Sequence, residues 1–443
     1  MKTKFIFIII ILLNIVTYPQ NISNQITIYD NFAYVNDNLN NLFILPKGKH
    51  TVKYFNIPSN IDLNSVYLKT NAKILSQTVY NKPFNLISLL ENADAKIIFN
   101  NGSLMDVKII KLFDNQLIVE NNNKIHILSD TRNYRIELNK NYDSMLFKKY
   151  IQWDILAENP IENAILNYKC YDISWNTNYI ATINNDKINL KIFFSIENNT
   201  DNEYNNYNVN LVSGDVKTQN NKQGRVFYKS VEATSLQEDN SIEPENLDEY
   251  KIYKLKNTIT LPPFTNKKIE YFTSNNIKYT KILNIQTYHN NQVNSIKPSI
   301  KYIIENKNNN NLGINLPKGI IKVYNDNNNQ IEFIGEALIN DISEDETLQF
   351  EIGKANDVKF SQKIITNQTI SDKIYVTEAE FKINNYANKE QEVHITDNLF
   401  EKNEIIESSE KYEKISNSQV LYKIKIAPKS EKIIKLKVRF YNY

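Results

Sequence analysis

From Ile26 onward the chain is a succession of runs of four to eight residues rich in Ile, Val, Tyr, Phe and Thr, interrupted every eight to fifteen residues by Asn, Asp, Gly or Pro. That punctuation leaves no room for helices of ordinary length and admits strands joined by turns. Within the runs the period is two. Ile188, Leu190, Ile192 and Phe194 alternate with Asn189, Lys191 and Phe193, and Tyr422, Ile424 and Ile426 alternate with Lys423 and Lys425. Each reads as a strand with one buried and one wetted face. Turn chemistry is explicit too, as where Asp326-Asn-Asn-Asn329 separates Ile320–Tyr324 from Ile331–Ile334, because Asn tolerates the positive φ that closes hairpins. The one helical stripe is Phe84 to Asn92, carried by Phe84, Leu86, Leu89 and Leu90.

The expected fold class is all-β, as several linked small domains: an N-terminal sheet over 23–80, a small SH3-like barrel with its short helix over 81–145, and two immunoglobulin-like β-sandwich modules over 146–290 and 291–443. Very little helix is expected beyond the N-terminal segment. Phe194-Ser-Ile-Glu-Asn-Asn199 leading to Tyr207–Leu211 is echoed by Phe381-Lys-Ile-Asn-Asn385 leading to Glu392–Ile395. Each is a strand, an Asn-rich connection and a second strand, which suggests two modules of one kind.

Residues 1–22 set the expected compartment. Lys2 and Lys4 precede an apolar run from Phe5 to Val16 broken only by Asn14, and polar sequence follows from Gln20. This is the layout of a secretory signal, and the run is shorter than the roughly 20 residues of a membrane-spanning helix. Export to the periplasm or the cell surface is expected, with an uncleaved N-terminal segment as the alternative way of holding the protein there. No later segment reaches transmembrane length. With Cys170 as its single cysteine, the chain forms no internal disulfide, so apolar burial must hold its cores.

Charge excludes one large class of partner. Lys and Arg number 52 against 50 Asp and Glu, a net charge of +2, and arginine occurs only at Arg132, Arg135, Arg225 and Arg439. Neither a basic field nor a bidentate reader of phosphates and bases is available, so nucleic acid is not expected. Catalytic motifs are equally scarce. The histidines His50, His126, His289 and His394 are isolated in sequence, and there is no H-E-x-x-H pair, nucleophile elbow, P-loop or dinucleotide fingerprint. No metal site, cofactor or catalytic residue is assigned. The acidic groups Asp341/Glu344/Asp345/Glu346 and Glu238 to Glu249 lack the spacing of a dedicated Ca²⁺ loop and read as solvated turns. Trp153 and Trp175, with Tyr150, Tyr168, Tyr171 and Tyr179, are the densest aromatic group, serving either as a sandwich core or as a face for stacking sugar or peptide.

At these residues the chain resembles a known family. Tyr171-Asp-Ile-Ser-Trp175 with Tyr179, Ile196–Asn199, Tyr204, Val209–Leu211 and Val212-Ser-Gly-Asp-Val216 are similar to the signature of the DUF4139 proteins. So are Leu247–Tyr250, Tyr253, Ile259–Leu261, Leu316-Pro-Lys-Gly319, Val323-Tyr324, Phe333-Ile-Gly-Glu336, Asp341, Ile352–Ala355 and Asp357-Val358. Upstream, Thr27–Tyr29, Asn31–Val35, Leu45–Gly48, Ile57-Pro58 and Ser65-Val66 resemble the same family's N-terminal part. The resemblance implies an exported bacterial protein of linked β domains, of the shorter variety without a coiled coil, and supplies no catalytic residue. Trp175, Tyr179, Asp215, Glu336 and Asp341 are the binding candidates, with Asp215 and Glu336 the matched polar residues that packing explains least. The expected function is a non-enzymatic envelope protein presenting β-sandwich surfaces to another envelope component or to glycan. The alternative is a hydrolase of an envelope polysaccharide or peptide polymer, with Glu336, Asp341 or Asp357 converging in a cleft.

Overall fold

The computed structural model describes residues 23–80, 90–113, 116–138, 149–214, 216, 242–247, 250–327, 330–399 and 402–441. These form an all-β chain of several sheets. Among the described residues helix is limited to short turns such as Leu63–Ser65 and Thr131–Asn133, whose first N–H groups are taken by the side chains of Asp62 and Asp130. Most of the helix expected over Phe84–Asn92 lies outside the described residues.

Strand pairing crosses the boundaries drawn from the sequence. An eight-stranded sheet takes Gln25–Ile28, Phe32–Asn38 and Tyr67–Thr70 from the first stretch and Ala164–Tyr171, Tyr204–Ser213, Ile242–Leu247, Tyr250–Leu255 and Ile259–Leu261 from the third. A second sheet sandwiches Tyr150–Ala157 between Gly48–Tyr54 and Lys73–Tyr80. Residues 23–80 and 146–290 therefore build one unit, not two. The reason is burial: no N-terminal strand has more than three buried apolar side chains. Ile26, Ile28, Ala33 and Val35 find their partners in Trp153, Leu166, Tyr168, Val209 and Leu211 of the later stretch. Trp153 is fully buried and donates its indole N–H to Gln77 Oε1 at 2.7 Å.

Between Lys73–Tyr80 and Tyr150–Ala157 the chain leaves to make a self-contained five-stranded unit, Asp94–Phe99, Leu104–Phe113, Gln116–Asn121, Lys124–Leu128 and Tyr134–Leu138. The first four form a meander, and the last returns to pair with the first. Ile97, Val107, Ile109, Leu117, Val119 and Tyr134 fill its separate core. The unit is an insertion into a strand pair: Tyr80 and Tyr150, at its two ends, are register partners whose rings stack 4.4 Å apart.

The remaining sheets reveal a repeat. In the first module Gln25–Ile28 runs parallel to Tyr204–Ser213, while Ile173–Asn184, Lys187–Asn198 and Thr265–Lys278 form an antiparallel trio. In the second, Thr280–Tyr288 runs parallel to Gln391–Asn398, and Val358–Ser371, Ile374–Asn385 and Ser430–Tyr441 form the matching trio. The Asn-rich echo is the pivot of both. Asn198 turns its amide NH₂ to the carbonyls of Asn202, Leu261 and Pro262 at 2.9, 3.1 and 2.9 Å and accepts the Thr200 N–H at 3.1 Å. Asn385 turns its own to Lys389, Ile426 and Ala427 at 2.9, 3.1 and 3.0 Å and accepts the Ala387 N–H at 2.9 Å. The two parallel pairs match as well, with one residue more between Asn198 and Val209 than between Asn385 and Ile395: Ile26 faces Val209 as Ile285 faces Ile395, which sets Ile26-Thr-Ile-Tyr-Asp-Asn31 beside Ile285-Gln-Thr-Tyr-His-Asn290. Thus the second module begins near Thr280, earlier than the boundary at 291. The hairpin Gly319–Asn327/Gln330–Ile339 is an excursion from it that joins the first module's trio through Ile173–Asn184.

One long hairpin serves two cores. Ile173, Trp175, Phe194 and Ile196 belong to the first, while Tyr179, Ala181, Ile183, Ile188 and Leu190 lie in a junction core completed by Tyr302, Ile304, Leu348 and Phe350 of the second module. In the second module the positions matching Ala181, Ile183 and Leu190 are Asn367, Thr369 and Thr377. This hairpin end of the second module is therefore polar where that of the first is apolar.

Candidate functional site

Three of the five sequence-selected residues meet at the seam between the modules. Trp175 is buried, packs edge-on to Phe194 at 5.1 Å, and donates its indole N–H to Val212 O at 3.1 Å. By register it is the counterpart of Phe360: Trp175 faces Ile196 two residues before Asn198, and Phe360 faces Ile383 two residues before Asn385. Tyr179 is fully buried and donates its hydroxyl to Pro317 O at 2.5 Å. Asp341 accepts the Ser213 hydroxyl at 2.5 Å and the Lys318 N–H at 3.0 Å. Together they clamp the end of Tyr204–Ser213 onto the loop before Gly319. That loop is held in turn by reciprocal Leu316 and Ile342 backbone bonds of 2.9 Å each. Gly319 is required here, because a Cβ would lie 2.2 Å from Thr177 O. Glu336 sits elsewhere, on Gln330–Ile339 opposite Lys322. Asp215 lies outside the described residues. Asp357, offered for the hydrolase alternative, is exposed in the turn before Val358–Ser371, where its carbonyl accepts the Tyr386 N–H.

The acidic stretches act locally. Glu344 accepts from Asn308, and Glu346 accepts the Ser343 N–H. In the part of the second stretch that is described, Glu245 pairs with Lys254. Among the described residues no three His, Cys, Asp or Glu side chains gather as a metal ion would require.

Two buried polar clusters were not legible in the sequence. His289 and Asp397 are both fully buried, with Nδ1 2.7 Å from Oδ2 and Nε2 3.3 Å from Thr377 O. Thr377 O can only accept, so Nε2 donates to it, while the Nδ1–Oδ2 bond holds the other side of the ring. Burial pushes the Asp397 carboxyl upward against the pull of the ring. The imidazole, with a carboxylate on one nitrogen and a backbone carbonyl on the other, is a cross-brace between sheets. Leu211 occupies the position of Asp397 in the first module. The second cluster centres on Asp37, 1% exposed, which accepts the hydroxyls of Tyr54 at 2.8 Å and of Tyr207. Loss of water outweighs these bonds and raises its carboxyl to about 6. Cys170, 3.5 Å from the Tyr204 hydroxyl, is pushed up to about 12 by burial and is an inert core thiol.

The open face of the eight-stranded sheet is where polar groups do reach solvent. Its inner residues belong to the first core. On its outer side the register places Asn208, Gln25, Asn36, Asn167 and Tyr67 in one row across five adjacent strands. A second row carries Lys254, Asn210, Thr27, Tyr34 and Lys169. Tyr34 and Tyr67 are 43% and 60% exposed, and Asn36, Asn167 and Asn210 are half-buried and make no side-chain hydrogen bond within the described residues. At one end, the Lys169 ammonium lies 4.3 Å from the Phe32 ring centre and 4.8 Å from that of Tyr171, and Tyr29 stacks on Phe32 at 4.5 Å. Of the aromatic group singled out in the sequence, Trp153, Trp175, Tyr168 and Tyr179 are core; Tyr171 reaches this face. The amide row escaped sequence reading because its members are distant in the chain, and only pairing aligns them.

No known family model matches the chain, and no curated protein matches it.

Proposed function

We propose that the chain is an exported, non-enzymatic protein of the cell envelope, of the DUF4139 type, which presents β-sheet surfaces to another envelope component or to glycan. Export rests on Lys2, Lys4 and the Phe5–Val16 run, and the family on the motifs spread from Thr27 to Val358. The observation that carries the absence of catalysis is the use made of the reactive groups. Asp341 and Tyr179 are committed to the module seam, His289 and Asp397 to each other and a backbone carbonyl, and Cys170 to the core. Each of these side chains already has its structural partners, whereas Asn36, Asn167 and Asn210 on the open sheet face make no side-chain hydrogen bond within the described residues. Among the described residues no helix is long and apolar enough to cross a membrane.

The test is photo-crosslinking in intact cells with probes placed on the open sheet face, followed by fractionation. Recovery of the protein outside the cytoplasmic membrane, crosslinked to an envelope protein or glycan, is the expected result. Retention in the cytoplasm, or release of soluble fragments from an envelope polymer by the purified protein, overturns it.

A further inference from the structure

We propose that the buried pair His289–Asp397 is a pH-sensitive latch, closed between the two sheets of the second module in mildly acidic medium and weakened as the medium turns alkaline.

His289 stands where the chain leaves Thr280–Tyr288 to cross to the opposite sheet at Val293–Ile296, and its backbone N–H closes on Asn398 O at 3.0 Å. Its ring fastens that crossing, through Nδ1 to Asp397 on one sheet and through Nε2 to Thr377 O on the other. The fold does not need this arrangement. In the first module the positions of Asp397 and Thr377 are Leu211 and Leu190, both fully buried, and that of His289 is Asp30, exposed and paired with Lys318. An apolar solution of the same architecture thus exists in the same chain, and the second module keeps two ionisable groups in its place.

Proton counting gives the device its sign. A ring nitrogen and a carboxylate oxygen 2.7 Å apart share a proton, held on either atom, and Nε2 holds a second against Thr377 O. In either arrangement the pair is neutral. Loss of the shared proton would set a bare buried carboxylate against the lone pair of the ring. Asp397 Oδ1 has no hydrogen-bond partner among the described residues, so no other donor would carry that charge. Burial already pushes the Asp397 carboxyl upward, in the direction of keeping the proton.

No compensating charge faces the pair. Val358–Ser371 turns Gln362 toward it, Ile374–Asn385 turns Tyr375, Gln419–Ile426 turns Tyr422 and Ser430–Tyr441 turns Phe440. Burial pushes the Tyr422 hydroxyl up to about 12, far above the range at issue. Charged side chains of these strands point to the outer faces or pair with one another: Lys363 with Glu380, Lys382 with Glu431, Lys423 with Glu413, Lys432 with Glu410 and Arg439 with Glu404, while Glu378 lies opposite Lys437. On the strand of Asp397 itself, Glu392 pairs with His394.

In the unfolded chain a carboxyl gives up its proton near pH ~4 and an imidazole near pH ~6.5. Between these values the folded and unfolded forms carry equal numbers of protons, and the latch is at full strength. Above about 6.5 the unfolded chain has released a proton that the folded chain retains, so stability falls as pH rises, about tenfold in the folding equilibrium per pH unit.

The test is Asp397→Asn, whose amide N–H can serve Nδ1 while Nε2 keeps Thr377 O, so that both ring bonds survive without a shared proton. The stability of this variant rises with pH where that of the parent is level, and is level where that of the parent falls. Relative to the parent it should therefore gain about tenfold per pH unit, or about a thousandfold from about pH 5.5 to about pH 8.5. The measurement is urea unfolding of the full chain, with the unfolded fraction of residues 374–398 counted by a short deuterium pulse and mass spectrometry. A ratio that stays constant with pH overturns the latch, because a pair that only packs gives a fixed offset. Should the variant not fold, nitrogen-15 spectra of the histidines in the parent decide. A proton on the Asp397 side of the His289 ring that resists exchange at about pH 8.5 is expected, and its loss below about pH 7.5 overturns the proposal.

Discussion

Replacing the buried Asp37 by Asn should make the first module more stable at neutral pH. The folded carboxyl is raised from 3.8 to about 6, because the core removes water that the Tyr54 and Tyr207 hydroxyls do not fully replace. Between these values the folded state holds a proton that the unfolded state has released, so stability falls as pH rises from about 4 to about 6. Above that both states are ionised and the loss is complete, at about 3 kcal/mol. Asn keeps the shape of the protonated acid and cannot ionise. Asp37→Asn should therefore lie within about 1 kcal/mol of the parent at pH 4.5 and exceed it by about 2 to 3 kcal/mol at pH 8. The assay is urea unfolding followed by tryptophan fluorescence, which reports this unit because Trp153 and Trp175, the only tryptophans, both belong to the first core. Other titrating groups cancel in the difference between variant and parent. A variant less stable than the parent at pH 8 would show that the tyrosine hydrogen bonds outweigh the desolvation of the carboxylate, and the reasoning would fail.

Asn385→Ala leaves three carbonyls without their donor and should cost about 3 kcal/mol. Asn198→Ala should cost a similar amount, and a loss below about 1 kcal/mol in denaturant titrations of either would contradict the pivot role. Gly319→Ala puts a methyl group against Thr177 O and should part the parallel pairing of Ile173–Asn184 with Gly319–Asn327. Limited proteolysis should then cut within residues 319–339 in the variant and not in the parent; equal resistance would refute this. Cys170, buried and with its thiol raised to about 12, should react with an aromatic disulfide only as fast as the first core opens. Immediate labelling of the native protein would contradict that burial.

The candidate site was only partly legible. Trp175, Tyr179 and Asp341 could be picked out by motif, but whether they met around a ligand or a seam depended on the Pro317 and Val212 carbonyls, which carry no side-chain signature. His289 and Asp397 are 108 residues apart, and each alone reads as an ordinary strand residue. The amide row was invisible for the same reason: Gln25, Asn36, Asn167 and Asn208 become neighbours only through the pairing of four strands.

What the sequence by itself determined is which face of each strand is wet. Alternation along Lys187–Asn198 or Gln419–Ile426 settles that locally, and with Asn-rich turns it settles the all-β class. It also carried the repeat, through the two asparagines that begin the Asn-rich connections. Only the tertiary structure decided which strands pair, because backbone hydrogen bonds look alike at every residue and the choice falls to apolar faces distant in the chain. That choice folded residues 23–80 into the unit of Trp153 and Tyr168, made 81–145 an insertion, and gathered scattered amides onto one open sheet.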